Sequence, residues 1–204
     1  MSTSHDRRAG VEALAAAVRA LADAAAETAI GAADLAVVTD AIRDLTVRLR
    51  AAVDDRPYSG LVRRPVDYAI PEDPMPLNPI IGACSPTRPD VHLRLVDGEV
   101  RGTATFTRRF VGPPGFAHGG IGAMLADQIV AVAPMAVGAR CITKQIHVRF
   151  RRPLPLDEPV DLWGVCEPDG DGFIARYRIS ARGEVAVEGT GELVTFERFA
   201  RRSP

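Results

Sequence analysis

One stretch constrains this chain more than any other. Gly119–Ala133 reads as a helix that is apolar almost all the way round, with Pro134 at its end. Such a helix must be buried on nearly every side. The sequence around it supplies strands to do so. Val91–Val96 and Glu99–Phe106 flank Asp97-Gly98, a hairpin signal. Downstream, Arg140–Arg151, Val160–Glu167, Phe173–Ala181 and Glu184–Phe196 read as strands. Turns at Pro153-Leu154-Pro155, Asp169–Gly172 and Arg182-Gly183 separate them. In the first of these strands Ile146, Val148 and Phe150 alternate with Gln145, His147 and Arg149, a period of two with one buried face. One buried helix between a strand pair and a four-strand meander predicts an α+β layout in which the sheet wraps the helix.

Two segments precede that domain. Residues 1–55 read as an arm, helical over 8–53. Val11, Leu14, Val18, Leu21 and Ala25 form one apolar seam, and Leu35, Val38, Ile42, Leu45, Leu49 and Ala52 form a second. Ile30-Gly31 breaks the helix between them. Each seam needs a surface to cover it, so a helical hairpin or a dimer-contacting arm is expected. A DNA-binding helix-turn-helix is disfavoured, because 1–55 carries six arginines, nine acids and no lysine. Residues 56–89 are crowded with proline (Pro57, Pro65, Pro71, Pro74, Pro76, Pro79 and Pro86 among them), which excludes long regular elements. Their Leu, Ile, Val and Tyr content predicts an ordered, extended wrap over residues 90–198, the domain that follows.

A formal net charge of −1 gives no global attraction to nucleic acid or to anionic membranes. No apolar run reaches the roughly 18 residues a membrane-spanning helix needs. Arg7 and Arg8 ahead of an Ala-rich stretch resemble a signal peptide only superficially, since Glu12, Arg19 and Asp23 interrupt it. A cytoplasmic location is expected. Cys84, Cys141 and Cys166 have neither disulfide-framework nor zinc spacing and read as small buried hydrophobes. No cluster of His, Cys and Asp has metal spacing, and there is no Gly-x-Ser-x-Gly elbow.

The chemistry-bearing stretch runs from Gly112 through Pro113-Pro114-Gly115-Phe116-Ala117 to His118-Gly119-Gly120, with Asp127 nine residues after His118. A helix N-terminus exposes unpaired backbone N–H groups and the positive end of the macrodipole. Two glycines there let a ligand approach the backbone closely, and such N–H groups suit a developing oxyanion. The alternative is a tight strand-to-helix turn that needs small residues. Asp127 lies among Leu125, Ala126, Ile129 and Val130, where a buried carboxylate is costly unless paired or used. It reads as a general base, as a nucleophile on an acyl carbon, or as an Asp bonded to backbone or facing a wet helix edge. Gly119 and Asp127 are eight residues apart, about 12 Å along a helix axis. One substrate carbonyl cannot touch both within one helix, so the carboxylate of one protomer is expected to work with the Gly119 N–H of its partner.

The motif, together with the element order over about residues 78–197, resembles the hotdog-fold acyl-CoA thioesterases of the PaaI-like and 4-hydroxybenzoyl-CoA thioesterase group. The resemblance implies an antiparallel sheet round one long central helix, here with an N-terminal helical extension. It implies hydrolysis of an acyl-CoA thioester, with coenzyme A as part of the substrate and no other cofactor or metal. It also implies a homodimer or dimer of dimers with sites at the dimer interface. By residue, it implies Gly119 as oxyanion donor, Asp127 as base or nucleophile, and His118 as the residue that orients the loop or contacts the thioester; a capping or packing histidine is the alternative for His118. Thr143, sixteen residues past Asp127, would hold the water or the carboxylate; an ordinary strand threonine is the alternative. Gly120, Asn78 (in Asn78-Pro79), Lys144, Arg151 and Arg152 fall on the substrate side, the basic residues toward the CoA phosphates. His5, His92 and His147 read as surface residues, and Trp163 as packing. Two other readings stay open: a non-catalytic acyl-CoA-binding or regulatory module, and a hotdog acyl-thioester dehydratase. The second wants a catalytic His near an acid in the helix, which this layout does not offer.

Overall fold

The structure, a computed structural model, describes residues 4–55, 58, 60–62 and 66–200, with the side chains of 7–199 within those spans. Pro57, Pro65 and the His5 side chain lie outside the described residues. Two helices come first, α1 (Ser4–Glu27) and α2 (Ala32–Arg50), with Gly31 as the extended N-cap of the second. After the wrap come β1 (Asp90–Val96), β2 (Glu99–Thr105) and a 3-10 turn at Arg108–Phe110. Then follow α3 (Gly119–Val132), a second 3-10 turn at Ala133–Val137, and β3 (Cys141–Phe150). Strands β4 (Pro159–Asp169), β5 (Gly172–Ala181) and β6 (Glu184–Thr195) and the short α4 (Phe196–Ala200) close the chain.

The six strands form one antiparallel sheet in the order β1-β2-β4-β5-β6-β3. Two hairpins turn through residue pairs with both φ angles positive, Asp97-Gly98 and Arg182-Gly183. That backbone matches the twist of the strands it joins. Pro134 does not end the helical path. It opens the second 3-10 turn, which stops at left-handed Gly138.

Helix α3 lies against the sheet, with Leu125, Ala126, Ile129, Val130 and Val132 fully buried. Two strand glycines let it sit that close. A Cβ on Gly164 would lie 2.5 Å from Ile129 Cγ2, and one on Gly191 2.4 Å from Val130 Cγ1. A bare backbone at these points lets the β-branched side chains of α3 drop into the sheet surface.

Three expectations need correction. First, α3 is not buried all round: Gly120, Met124 and Asp127 form an exposed stripe, with Met124 43% exposed. Second, the apolar seams of the arm are not its docking face. Leu14, Val18 and Leu21 are exposed, and α2 has no buried residue. The arm docks through α1 by a mostly polar row, with Arg8 and Ala15 buried, Arg19 bonded to the wrap at Ser85 and Asp23 to Thr107 of the domain. Arg8 is 4% exposed, donates to the Leu61 carbonyl at 2.9 Å and pairs with Glu12 at 2.6 Å. Third, Gly119–Val137 does have the length and composition of a membrane span. Half of it is buried inside the fold, as befits a core helix wrapped by a sheet.

The wrap is ordered but is built from successive turns rather than from extended chain. Leu61, Ile80, Ile81 and Cys84 are buried, and Leu95 N–H donates to the Ala69 carbonyl, so the wrap covers part of the β1 edge. Cys84 is buried, and Cys141 and Cys166 are half-buried; all three are free thiols.

The close helix–sheet contact yields a stability prediction. Gly191→Val forces a side chain into Val130 and should lower unfolding free energy by roughly 1–3 kcal/mol, the usual cost of overpacking. Gly10→Ala, in α1 with nothing within 4 Å of the added Cβ, should stabilise instead. Urea denaturation of both variants checks the contrast.

Candidate active site

The loop before α3 is closed by backbone alone. Gly112 N–H donates to Phe116 O at 2.9 Å, Ala117 N–H to Leu154 O at 2.9 Å and His118 N–H to Phe110 O at 2.8 Å. A Cβ on Gly112 would stand 2.7 Å from His118 Cα, so this closure requires glycine. His118 then caps the helix: its Nδ1 accepts the Gly120 N–H at 3.0 Å. The ring is therefore held with Nδ1 as acceptor, which puts the proton of the neutral imidazole on Nε2.

This cap separates the two glycines. The Gly120 N–H is used, and a Cβ there would press on His118 Nδ1 at 3.0 Å. Turn sterics thus account for Gly120, and its N–H is not offered to a ligand. Gly119 differs. Its N–H has no acceptor among the described residues, and a Cβ on it would meet only the Phe150 ring, at an ordinary 3.7 Å. The turn does not demand a glycine at 119, although glycine at a helix position costs about 1 kcal/mol against alanine.

Gly119 lines a groove of about 350 Å³ together with Pro113, Phe116, Phe150, Arg151, Arg152 and Leu154. The structure thus brings Arg151 and Arg152 to Gly119. Arg151 Nε donates to Glu188 at 2.7 Å and Arg152 to Glu184 at 3.1 Å. Each guanidinium has five N–H donors, so both retain donors for an anion.

Asp127 stands apart from this groove. It follows Gly119 by about 12 Å along the axis and roughly 80° around it. It is exposed rather than buried, on the stripe with Gly120 and Met124, and it has no hydrogen-bond or ion-pair partner among the described residues. Thr143 and Lys144 lie on β3 at a bulge, where the register with β6 shifts between Thr143 and Gln145. Lys144 Nζ pairs with Glu192 at 2.8 Å, which holds the Glu192 carboxyl below its usual range.

Asn78 is committed to the protein itself. Its Oδ1 accepts the Ile80 and Ile81 N–H groups at 2.9 and 3.1 Å, and its Nδ2 donates to Gln128 Oε1 at 2.8 Å. Those backbone donors fix the Asn78 amide, and that amide fixes Gln128. The Gln128 Nε2 is left buried and unpartnered, with the residue 6% exposed. Sequence reasoning missed Gln128, although an amide in an apolar helix directly after Asp127 was a visible signal.

The cysteines offer no nucleophile. Burial, with Cys141 nearby, pushes the Cys166 thiol up to about 11, and burial also raises Cys141. No cluster of three metal-ligating side chains occurs among the described residues. His92 pairs with Asp90 at 3.0 Å on the surface, His147 meets Gln145 at 2.9 Å, and Trp163 packs under the Arg178 guanidinium at 4.3 Å.

No family model matches this chain. Among solved structures it is similar to a crystallised thioesterase superfamily protein, with a TM-score of 0.76 and 31% identity over 90% of this chain and 94% of that one. It also resembles a hypothetical thioesterase from Streptococcus pneumoniae TIGR4 crystallised with coenzyme A, at TM-score 0.49 and 22% identity, over 52% of this chain and 89% of that one. A third likeness is to PaaI of the E. coli phenylacetic acid degradation operon, at TM-score 0.48 and 17% identity, over 52% and 79% of the two chains. The first match covers nine-tenths of this chain, more than the sheet and its helix alone. With its antiparallel sheet curled round one helix in the hotdog manner, the chain belongs to the thioesterase superfamily.

Proposed function

We propose that this protein hydrolyses an acyl-CoA thioester to a free carboxylic acid and CoA, at sites completed by a second copy of the chain. One observation carries the reading. The Gly119 N–H and the Asp127 carboxylate are both unpartnered on a single helix, too far apart to serve one carbonyl. An antiparallel partner helix brings the Gly119 of one protomer to the Asp127 of the other.

The surface beside α3 supports such pairing. Strand β3 is a ten-residue sheet edge with no buried residue, and its Phe150 is 54% exposed. Long open edges are normally covered. Covering this one together with the Met124–Asp127 stripe would shield Asp127 from bulk water and set it against the partner's helix.

In the reaction, the acyl carbonyl oxygen takes the Gly119 N–H, which stabilises its negative charge as the tetrahedral centre forms. By one route Asp127 removes a proton from water, the hydroxide adds to the acyl carbon, and the C–S bond breaks. By the other, Asp127 itself attacks, CoA thiolate leaves, and water then cleaves the mixed anhydride. Both routes return the proton to sulfur and yield acid plus CoA. Thr143 holds the water or the carboxylate. His118 fixes the direction of the helix entry through its cap, and Asn78 braces α3 through Gln128. Arg151, Arg152 and Lys144 receive CoA phosphates. The His118 ring is held by the Gly120 N–H, so it is unsuited to the proton abstraction a dehydratase requires.

Free-thiol release from phenylacetyl-, benzoyl- and acetyl- to palmitoyl-CoA tests the reading. Wild type should release thiol, and Asp127→Ala should lose about 100-fold or more while staying folded. Acyl-CoA binding without thiol release would instead favour a binding module. Gly119→Ala should keep or raise Tm, because its Cβ fits and alanine is the better helix former by about 1 kcal/mol, yet it should lose most of its kcat. Light scattering should give a dimer or tetramer, and a fully active monomer would rule out the shared site.

A further inference from the structure

The helical arm reaches the candidate oxyanion loop through a single carboxylate. Near the end of α1, Asp23 Oδ1 accepts the Thr107 hydroxyl at 2.6 Å and lies 3.0 Å from Arg109 Nε, an ion pair without hydrogen-bond alignment, so the hold on Arg109 is charge attraction. Arg109 also donates to the Arg88 carbonyl at 2.8 Å, and its guanidinium lies 4.6 Å over the Phe110 ring. Phe110 in turn packs edge-on against fully buried Phe106, with ring centroids 6.2 Å apart. Thr107, Arg109 and Phe110 belong to one 3-10 turn, in which Phe110 N–H donates to Thr107 O at 3.0 Å. The carbonyl that closes this turn's far side, Phe110 O, is the acceptor of the His118 N–H at 2.8 Å.

We propose that Arg109, anchored by Asp23 of the arm, is a positioning residue that sets the Phe110 carbonyl and hence the direction of the Gly119 N–H. The inference rests on the thioesterase reading for its catalytic consequence. Its physical logic is that an oxyanion donor must be aimed, and that displacements near 1 Å at such a donor are felt strongly in rate. The His118 amide has Phe110 O as its hydrogen-bond acceptor, so a shift of the 3-10 turn moves the helix entry with it. Arg109 is 14% exposed and Asp23 29%, so the pair is shielded from solvent more than a surface ion pair. Three arginines (Arg19, Arg88 and Arg109) crowd together, with Asp23 and Asp90 as the opposing charges. Burial first, then Arg88 and Arg109, lowers the Arg19 guanidinium pKa. Within this cluster Asp23 is the carboxylate that lies against the Arg109 guanidinium, at 3.0 Å. The arm is thereby assigned a role that its exposed apolar seams do not explain.

The test uses the full chain. Arg109→Met and the milder Asp23→Asn, which keeps an acceptor for Thr107, are compared with Arg19→Met. That control removes the arm's 2.6 Å bond to the Ser85 carbonyl but not the route to the loop. Expected are a kcat lower by about tenfold in the first two with KM unchanged, and no change in kcat for Arg19→Met. Hydrogen exchange of the His118 and Gly120 amides should quicken in Arg109→Met, while exchange in β5 stays the same. Should kcat fall equally in Arg19→Met, general undocking of the arm is the cause and the proposal is overturned. Unchanged kcat in Arg109→Met, with Asp127→Ala inactive, overturns the proposal and leaves the thioesterase reading intact. If wild type releases no thiol, that reading fails. Hydrogen exchange then decides the brace: a faster His118 amide supports it, and an unchanged one overturns it.

Discussion

Everything in this molecule depends on the burial of one apolar helix against one sheet. Ile129 and Val130 sink over Gly164 and Gly191, where any side chain would collide with them. That contact fixes the axial position and the rotation of α3 together. Rotation decides chemistry: with Leu125, Ala126, Ile129 and Val130 facing in, the residues at 120, 124 and 127 must face out. The position of the candidate carboxylate is thus a consequence of where the branched side chains pack.

The N-terminus of the same helix is governed by hydrogen bonding rather than by burial. A helix start has four backbone N–H groups to satisfy. The Phe110 carbonyl takes the His118 N–H at 2.8 Å, His118 Nδ1 takes that of Gly120 and its carbonyl that of Ile121 at 3.0 Å, and the Gly119 N–H is left over among the described residues. The leftover donor sits in a groove edged by two arginines and two phenylalanines. A backbone donor gains strength on a developing charge where water is excluded, and the exposed Phe116 and Phe150 rings are the apolar surface a partner or substrate would cover there.

Much of this was legible in the sequence. The strands, the two hairpins and α3 were found because periodicity and turn chemistry act over a few residues. The glycine pair at 119 and 120 was visible as a pair, but its two members have different reasons for being glycine. Only the ring of His118, folded back over Gly120, tells them apart. The arm departs from its sequence pattern for a related reason. Its apolar seams repeat like packing faces, yet α1 is held by polar contacts, Arg8 and Arg19 on the wrap and Asp23 on the 3-10 turn. Long-range polar contacts of that kind, such as Asp23 with Thr107 or Asn78 with Gln128, leave no periodic trace. Their partners are 84 and 50 residues apart.

By itself the sequence determined which segments are helix and strand, that one helix must be central, and which residues carry reactive groups. Those are properties of local pattern and side-chain chemistry. Only the tertiary structure decided that Asp127 faces outward, that the Gly119 N–H is unclaimed among the described residues while the Gly120 N–H is not, and that the arm touches the 3-10 turn before the candidate loop through Asp23. The physical reason is the same in each case. Rotation of a helix, satisfaction of a backbone donor and docking of a polar face are settled by which distant atoms arrive alongside, and only the folded chain brings those atoms together.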